Sequence, residues 1–190
     1  ELKEILTKLI DLVESTPDKE KVIKNSAFKI SLGTNYFFTI AKVRALRNLI
    51  SNYYQGLGLT HDTGGIQIIG FSRAWEKEDY NPHENMLKAT TATMAGVTGG
   101  CDAIIIQPGH QDDEEKMVAR NINTMLREES YLDKVVDPAS GSYFIENLTK
   151  DIVSKITDSL KISFKGNNQQ PVDIIKDDIS FRLYGDYPLG

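Results

Sequence analysis

Four times along the chain a short apolar segment of strand character is followed by a longer segment of helical periodicity, and no other feature limits the fold as much. The strand segments are residues 27–32, 66–71, 102–107 and 134–137, and the helical ones after them are 36–54, 83–97, 113–129 and 143–160. Strands separated by helices pair in parallel through right-handed crossovers, so the pattern predicts βα units on a parallel sheet. A strand spacing of roughly 35 to 40 residues suits such units, which need about 30 or more. Doubly wound and barrel folds both satisfy it. Two helical stretches come first: 1–14, where Leu2, Ile5, Leu6, Leu9, Ile10 and Val13 form one apolar stripe, and 19–24 beyond Pro17. Ile104-Ile105-Ile106 predicts a strand covered on both faces; on that reading an aspartate at Ile105 would bury an unpaired carboxylate and prevent folding. Ala41, Ala45, Ala89, Ala92 and Ala95 thin two helix faces so that they can sit close to a sheet. Residues 161–190 change character, with a polar, turn-rich start, and the chain divides into a partial βα domain over 1–160 and a tail over 161–190 without assigned structure.

Composition removes several classes of function. With 22 Lys+Arg against 27 Asp+Glu in 190 residues the net charge is −5, and no run of basic residues marks a nucleic-acid or anionic membrane surface as the partner. One cysteine cannot form an internal disulfide, and no Cys/His set has zinc spacing, which places the chain in the cytoplasm. No apolar run approaches the ~20 residues of a membrane span, the charged segment 1–8 is no signal peptide, and a first residue other than Met suits a piece of a longer protein.

Parallel α/β folds carry their chemistry at the carboxyl ends of strands. Here those ends are Gly33-Thr34-Asn35, Gly70-Phe71-Ser72-Arg73, Gln107-Pro108-Gly109-His110 and the stretch from Asp137 to Ser142. None holds a dinucleotide or nucleoside-triphosphate fingerprint. Of His61, His83 and His110, only His110 follows a strand and has a place at a site. Cys101 reads as a small buried residue, because no base adjoins it. Asp112-Asp113-Glu114-Glu115 opens a helix, where acidic residues are favoured by the dipole rather than by a metal. Gly141-Ser142 ends a turn that sets up the helix from Tyr143.

Several strings resemble one family. Asn35-Tyr36-Phe37-Phe38-Thr39-Ile40-Ala41-Lys42-Val43-Arg44-Ala45, Ala119-Arg120-Asn121, Glu128-Glu129-Ser130 and the run from Asp137 to Thr149 (DPASGSYFIENLT) are similar to the substrate-barrel domain of methylmalonyl-CoA mutases. The segment from Ser130 to Val135 is most similar to the small, non-catalytic subunit of heterodimeric enzymes. The resemblance implies about half of a (β/α)8 barrel, a catalytic large subunit or the rest of the barrel as partner, and acyl-CoA as ligand. It also implies adenosylcobalamin in the complex, held by a separate domain and not by this chain, for the radical isomerisation of methylmalonyl-CoA and succinyl-CoA. Active members carry a strand-end histidine that hydrogen-bonds the thioester; alignment on Trp75 and Pro82 places Ile69 there, which can neither donate nor accept that bond, so no catalytic residue is assigned. Strand alternation puts Gln67, Ile69 and Phe71 on one face, where Ile69 and Phe71 would take up ligand space. No D-x-H-x-x-G cobalamin-ligand motif occurs, and the stretch between Gln107 and Arg120 is shorter than in active subunits. Candidate substrate contacts are Gln67, Arg73, Gln107 and His110. A mutase whose remaining parts are supplied elsewhere, and a self-contained α/β module for a small anionic metabolite, stay open as alternatives.

Overall fold

Pro17 cannot continue a helix, and it separates the first two elements. In the computed structural model, which describes residues 1–58, 65–75, 83–109 and 113–165, α1 (Leu2–Ser15) is followed by α2 (Lys19–Lys24), with the Asp18 carboxylate accepting from the Lys21 N–H at 3.0 Å. Next come β1 (Ala27–Leu32), α3 (Tyr36–Gly56), β2 (Gln67–Ser72), α4 (Glu84–Thr98), β3 (Ala103–Ile105), α5 (Asp113–Glu128) and α6 (Tyr143–Lys165). Asn35 starts α3, its side chain accepting from the Phe38 N–H at 3.2 Å, and so satisfies one of the amides a helix start leaves open.

The three strands are parallel in the order β1-β2-β3, in register with Ala27 opposite Gln67, Lys29 opposite Ile69, and Ile69 opposite Ala103. Alternation divides the sheet into two faces. Phe28, Ile30 and Leu32 of β1 and Ile68 of β2 are buried with Leu6, Leu46, Leu49, Ile50, Val153 and Leu160 of the helices in one core. Ala27, Lys29, Ser31 and Gln67 on the other face are exposed, and Ile69 and Phe71 are half-buried. Sequential parallel strands with helices between them are the arrangement of a partial α/β sheet, as both barrel and doubly wound folds contain. The described strands form a wall of three. The expected close approach of helix to sheet is present: Ala41, Ala45 and Ala95 are fully buried, and Ala89 and Ala92 nearly so.

Two expectations are corrected. Residues 134–137 are not a strand. Lys134 N–H closes a turn on the Tyr131 carbonyl at 3.1 Å, Tyr131 and Asp137 both have positive φ (51° and 47°), and Val135 and Val136 are 60% and 74% exposed. Two β-branched residues between left-handed backbone positions cannot extend far enough to pair, so the described structure has three strand–helix units with α6 following a turn. Nor is the isoleucine run covered on both sides. Ile104 packs on the main core and Ile106 in a second cluster with Ala89, Ala119, Ile122 and Leu126, but Ile105 points to the open face and is 46% exposed. β3 is the outer strand of the described sheet, and three residues of it suffice to fill one face only. Ile105→Asp is therefore expected to fold cooperatively with a loss of about 1 kcal/mol or less. Urea unfolding measures this, and an unfolded variant would contradict the open face.

Candidate functional site

The carboxyl ends of the three strands converge on a cleft of about 590 Å³. Its floor is Phe71 and Ser72 at the end of β2. One wall is Gly33, Thr34 and Asn35 with Phe38, Thr39 and Lys42 of the first turns of α3, and the other is Asn85, Lys88, Ala89 and Ala92 of α4. The mouth is closed by Arg73, Ala74, Trp75 and Gln107. The short connection from Leu32 to Tyr36 brings the first turns of α3 to the rim where the residues after β2 and β3 also lie.

Hydrogen bonds hold the rim together. Ser72 Oγ accepts from the Gln107 N–H at 3.0 Å, and the Trp75 N–H donates to the Gln107 carbonyl at 3.2 Å. Gly109 lets the two segments approach: a Cβ there would stand 2.0 Å from the Trp75 carbonyl oxygen, a distance no side chain can take. On the β1 side, Lys42 Nζ donates to the Ser31 carbonyl at 2.5 Å and to Glu1 Oε2 at 3.1 Å. Lys88 pairs with Glu84 at 2.6 Å. The described lining holds three cations, Lys42, Arg73 and Lys88, of which Lys42 and Lys88 are paired with carboxylates of Glu1 and Glu84 outside it.

Of the candidate substrate contacts, Arg73 and Gln107 line this cleft. Gln67 does not: it is the first residue of β2, at the opposite end of the sheet, and strand alternation alone could not separate the two ends. His110 lies outside the described residues. Ile69 is half-buried in the middle of β2 on the open face, opposite Lys29 and Ala103. Lys42, Asn85 and Lys88 are the lining residues that reasoning from strand ends missed. The signal was the helical period, since Lys42 follows the capping Asn35 by two turns and so lies on the same side of α3.

Two arginine clusters lie outside the cleft lining. Arg44 of α3, largely buried, holds the carboxylates of Asp137 and, at 2.6 Å, Glu146, with both acids 11 to 14% exposed. Arg47 donates to the carbonyls of Ile66 (2.7 Å) and Gly100 (2.6 Å) and to Asp102 Oδ2 (2.8 Å), which also accepts from the Ile68 N–H at 2.7 Å. Arg44, Asp137 and Glu146 all belong to the strings quoted above, so those strings join α3, the 137–142 turn and α6, while Asn35, Phe38, Thr39 and Lys42 of the first string also line the cleft. Gly141, at φ 76°, supplies the left-handed step of that turn. Cys101 is no nucleophile, because burial pushes its thiol up to about 12. Among the described residues no group of three His, Cys, Asp or Glu could hold a metal, and no helix is long and apolar enough to cross a membrane.

Comparison with known proteins agrees with this arrangement. The methylmalonyl-CoA mutase family model matches residues 9–172. The methylmalonyl-CoA mutase small subunit of Porphyromonas gingivalis is 35% identical over 156 residues, 78% of this chain and 25% of that protein. The small subunit of Streptomyces virginiae is 31% identical over 153 residues, 75% of this chain and 24% of that protein. The methylmalonyl-CoA mutase of Escherichia coli is 29% identical over 135 residues, 68% of this chain and 19% of that protein. The chain thus spans about a quarter of the length of the small subunits it matches. With three parallel βα units and a family match over most of its length, the chain belongs to the methylmalonyl-CoA mutase family.

Proposed function

We propose that this chain is part of a non-catalytic mutase subunit, a section of (β/α)8 barrel wall that supports a catalytic large subunit in the isomerisation of methylmalonyl-CoA and succinyl-CoA. The observation that carries the reading is Ile69, an aliphatic side chain on the open sheet face at the position where the resemblance puts the thioester-binding histidine. Phe71 beside it, with Lys29 Nζ 5.4 Å from its ring centre, fills further space on that face. The names of the relatives, which are small subunits, support a partner subunit.

The cofactor of the family does not alter this assignment. Adenosylcobalamin supplies radical initiation when bound to a mutase, and by the resemblance a separate domain holds it; the described cleft lining offers hydroxyls, amides and cations. What the lining does fit is an anionic acyl-CoA, with Arg73 and Gln107 as its contacts and with His110 and Gln67 remaining candidates from the sequence.

Co-expression with the large subunit of a two-subunit mutase tests the reading. The chain is expected to co-purify, and Ile69→His in the complex to leave turnover unchanged. Failure to associate would overturn the partnership, and a fall in turnover with Ile69→His, which would mean that the native side chain takes part in turnover, would overturn the non-catalytic role. In the same complex Arg73→Met is expected to raise KM with kcat held; unchanged kinetics would remove Arg73 from the contacts.

A further inference from the structure

Two adjacent phenylalanines in the first turn of α3 are treated differently by the fold. Phe37 sets its ring edge-on against Tyr36 and Phe144, with 5.5 and 5.6 Å between ring centres. Phe38 lines the cleft, is 46% exposed, belongs to none of the three apolar clusters and has no ring partner among the described residues. A bare phenyl face in a concave site forgoes apolar burial that a flat ligand would recover.

The polar groups near that ring are amides. Asn35 commits its side-chain oxygen to the Phe38 N–H at 3.2 Å, which leaves its NH2 group to the cleft. The side chain of Gln107, at the mouth, makes no hydrogen bond among the described residues. The cations differ in how firmly they are held. Lys42 has three oxygen acceptors, from Glu1 and Ser31, whereas Lys88 pairs with Glu84 one turn away, an exposed contact that a phosphate can displace. The strand ends carry no phosphate-binding glycine fingerprint, so a phosphorylated ligand here is recognised by its ring more than by its phosphates.

A heterocyclic base uses both features: its face stacks on an aromatic ring, and its edge pairs with the donor and acceptor of an amide. Asparagine and glutamine match adenine with two bonds. We propose that the cleft binds an adenine nucleotide, with the base on Phe38, its edge on the amides of Asn35 and Gln107, and a phosphate at Lys88. Free nucleotide and the nucleotide end of CoA share this chemistry, and the test separates them. The inference rests on the reading of the cleft as a ligand site, not on a partner subunit.

Trp75, the only tryptophan of the chain, lines the same cleft and supplies the readout. Titrating the full 190-residue chain with ADP is expected to change its emission saturably. Adenosine is expected to bind within about tenfold of ADP, because no glycine loop holds the phosphates. Phe38→Leu, which keeps an apolar side chain but removes the ring, is expected to weaken ADP about fivefold, and Lys88→Gln to remove the advantage of ADP over adenosine. CoA binding no tighter than ADP assigns the site to the free nucleotide, and much tighter binding of CoA assigns it to the nucleotide end of that ligand. An emission unmoved by ADP would overturn the site. So would an ADP affinity indifferent to Phe38→Leu, which would make Phe38 an interface residue if the same change loosened a co-purified large subunit. A response to acyl-pantetheine, which lacks the nucleotide, with none to ADP would overturn the inference and leave the acyl-CoA reading standing. Binding of ADP by a chain that fails to co-purify with the large subunit would keep the site and overturn only the partnership.

Discussion

Arg44→Met is expected to lower the unfolding free energy by about 3 to 5 kcal/mol, the cost of removing one partner from a buried ionic cluster. Methionine preserves most of the side-chain volume, so the loss comes from charge and hydrogen bonding rather than from a cavity. Asp137 and Glu146 would be left facing each other across a site from which water is mostly excluded. Two buried like charges without a cation raise the cost beyond that of a single orphaned acid. Urea unfolding with CD detection gives the difference directly. The triple variant Arg44→Met, Asp137→Asn, Glu146→Gln separates the causes: amides in place of the acids are expected to recover a large part of the loss, because the charges are then gone together. A single variant within about 0.5 kcal/mol of the parent would mean that the cluster is a solvated surface pair.

Gly96→Val is expected to cost about 2 to 3 kcal/mol for the opposite reason, excess volume. Gly96 lies on the face of α4 that meets the sheet, and a Cβ there would stand 2.7 Å from Leu32 Cδ1 and 2.9 Å from Ile104 Cδ1. Gly70 of β2 meets the same leucine, its Cβ position 2.8 Å from Leu32 Cδ1. Leu32 therefore fills a space left by two glycines, one on the sheet and one on the helix above it. Valine has no rotamer that relieves both contacts, since its branches begin at the crowded atom. Thermal unfolding is the readout. Leu32→Ala in the Gly96→Val background is expected to lose less than the two single changes summed, because the truncated leucine leaves room for the valine. A melting temperature raised by Gly96→Val would show that helix and sheet are farther apart than described.

Where an element is set by its own residues, the sequence was enough to find it. The stripe of α1, the break at Pro17 before α2 and the turn ending in Asn35 before α3 are local signals, and these elements start and end within a residue or two of expectation. Residues 134–137 carry the same β-branched character as a strand, but pairing depends on a neighbour, and the described backbone there turns at Tyr131 and Asp137 instead. Ile105 misled for a related reason: three isoleucines in a row state that the segment is apolar, while which of them is covered depends on what lies across the sheet. The cleft was half legible. Arg73 and Gln107 follow from strand direction, whereas Gln67 shares a face with Ile69 and Phe71 and yet begins the strand, so face and end must both be counted. The arginine clusters could not be read at all, since Arg44 meets partners 93 and 102 residues away.

Cys101 turns the interior into something a reagent can report on. Its thiol lies 3.1 Å from where a Cβ on Gly70 would stand, inside the joint of β2, β3 and α4, and a pKa pushed up to about 12 leaves almost no thiolate at neutral pH. The half-buried thiol reacts slowly with a disulfide reagent while the joint is closed, and faster when it opens and the thiol regains its ordinary acidity. The labelling rate of one native cysteine thus reports on the local opening equilibrium beneath the cleft, in a chain that needs no introduced probe.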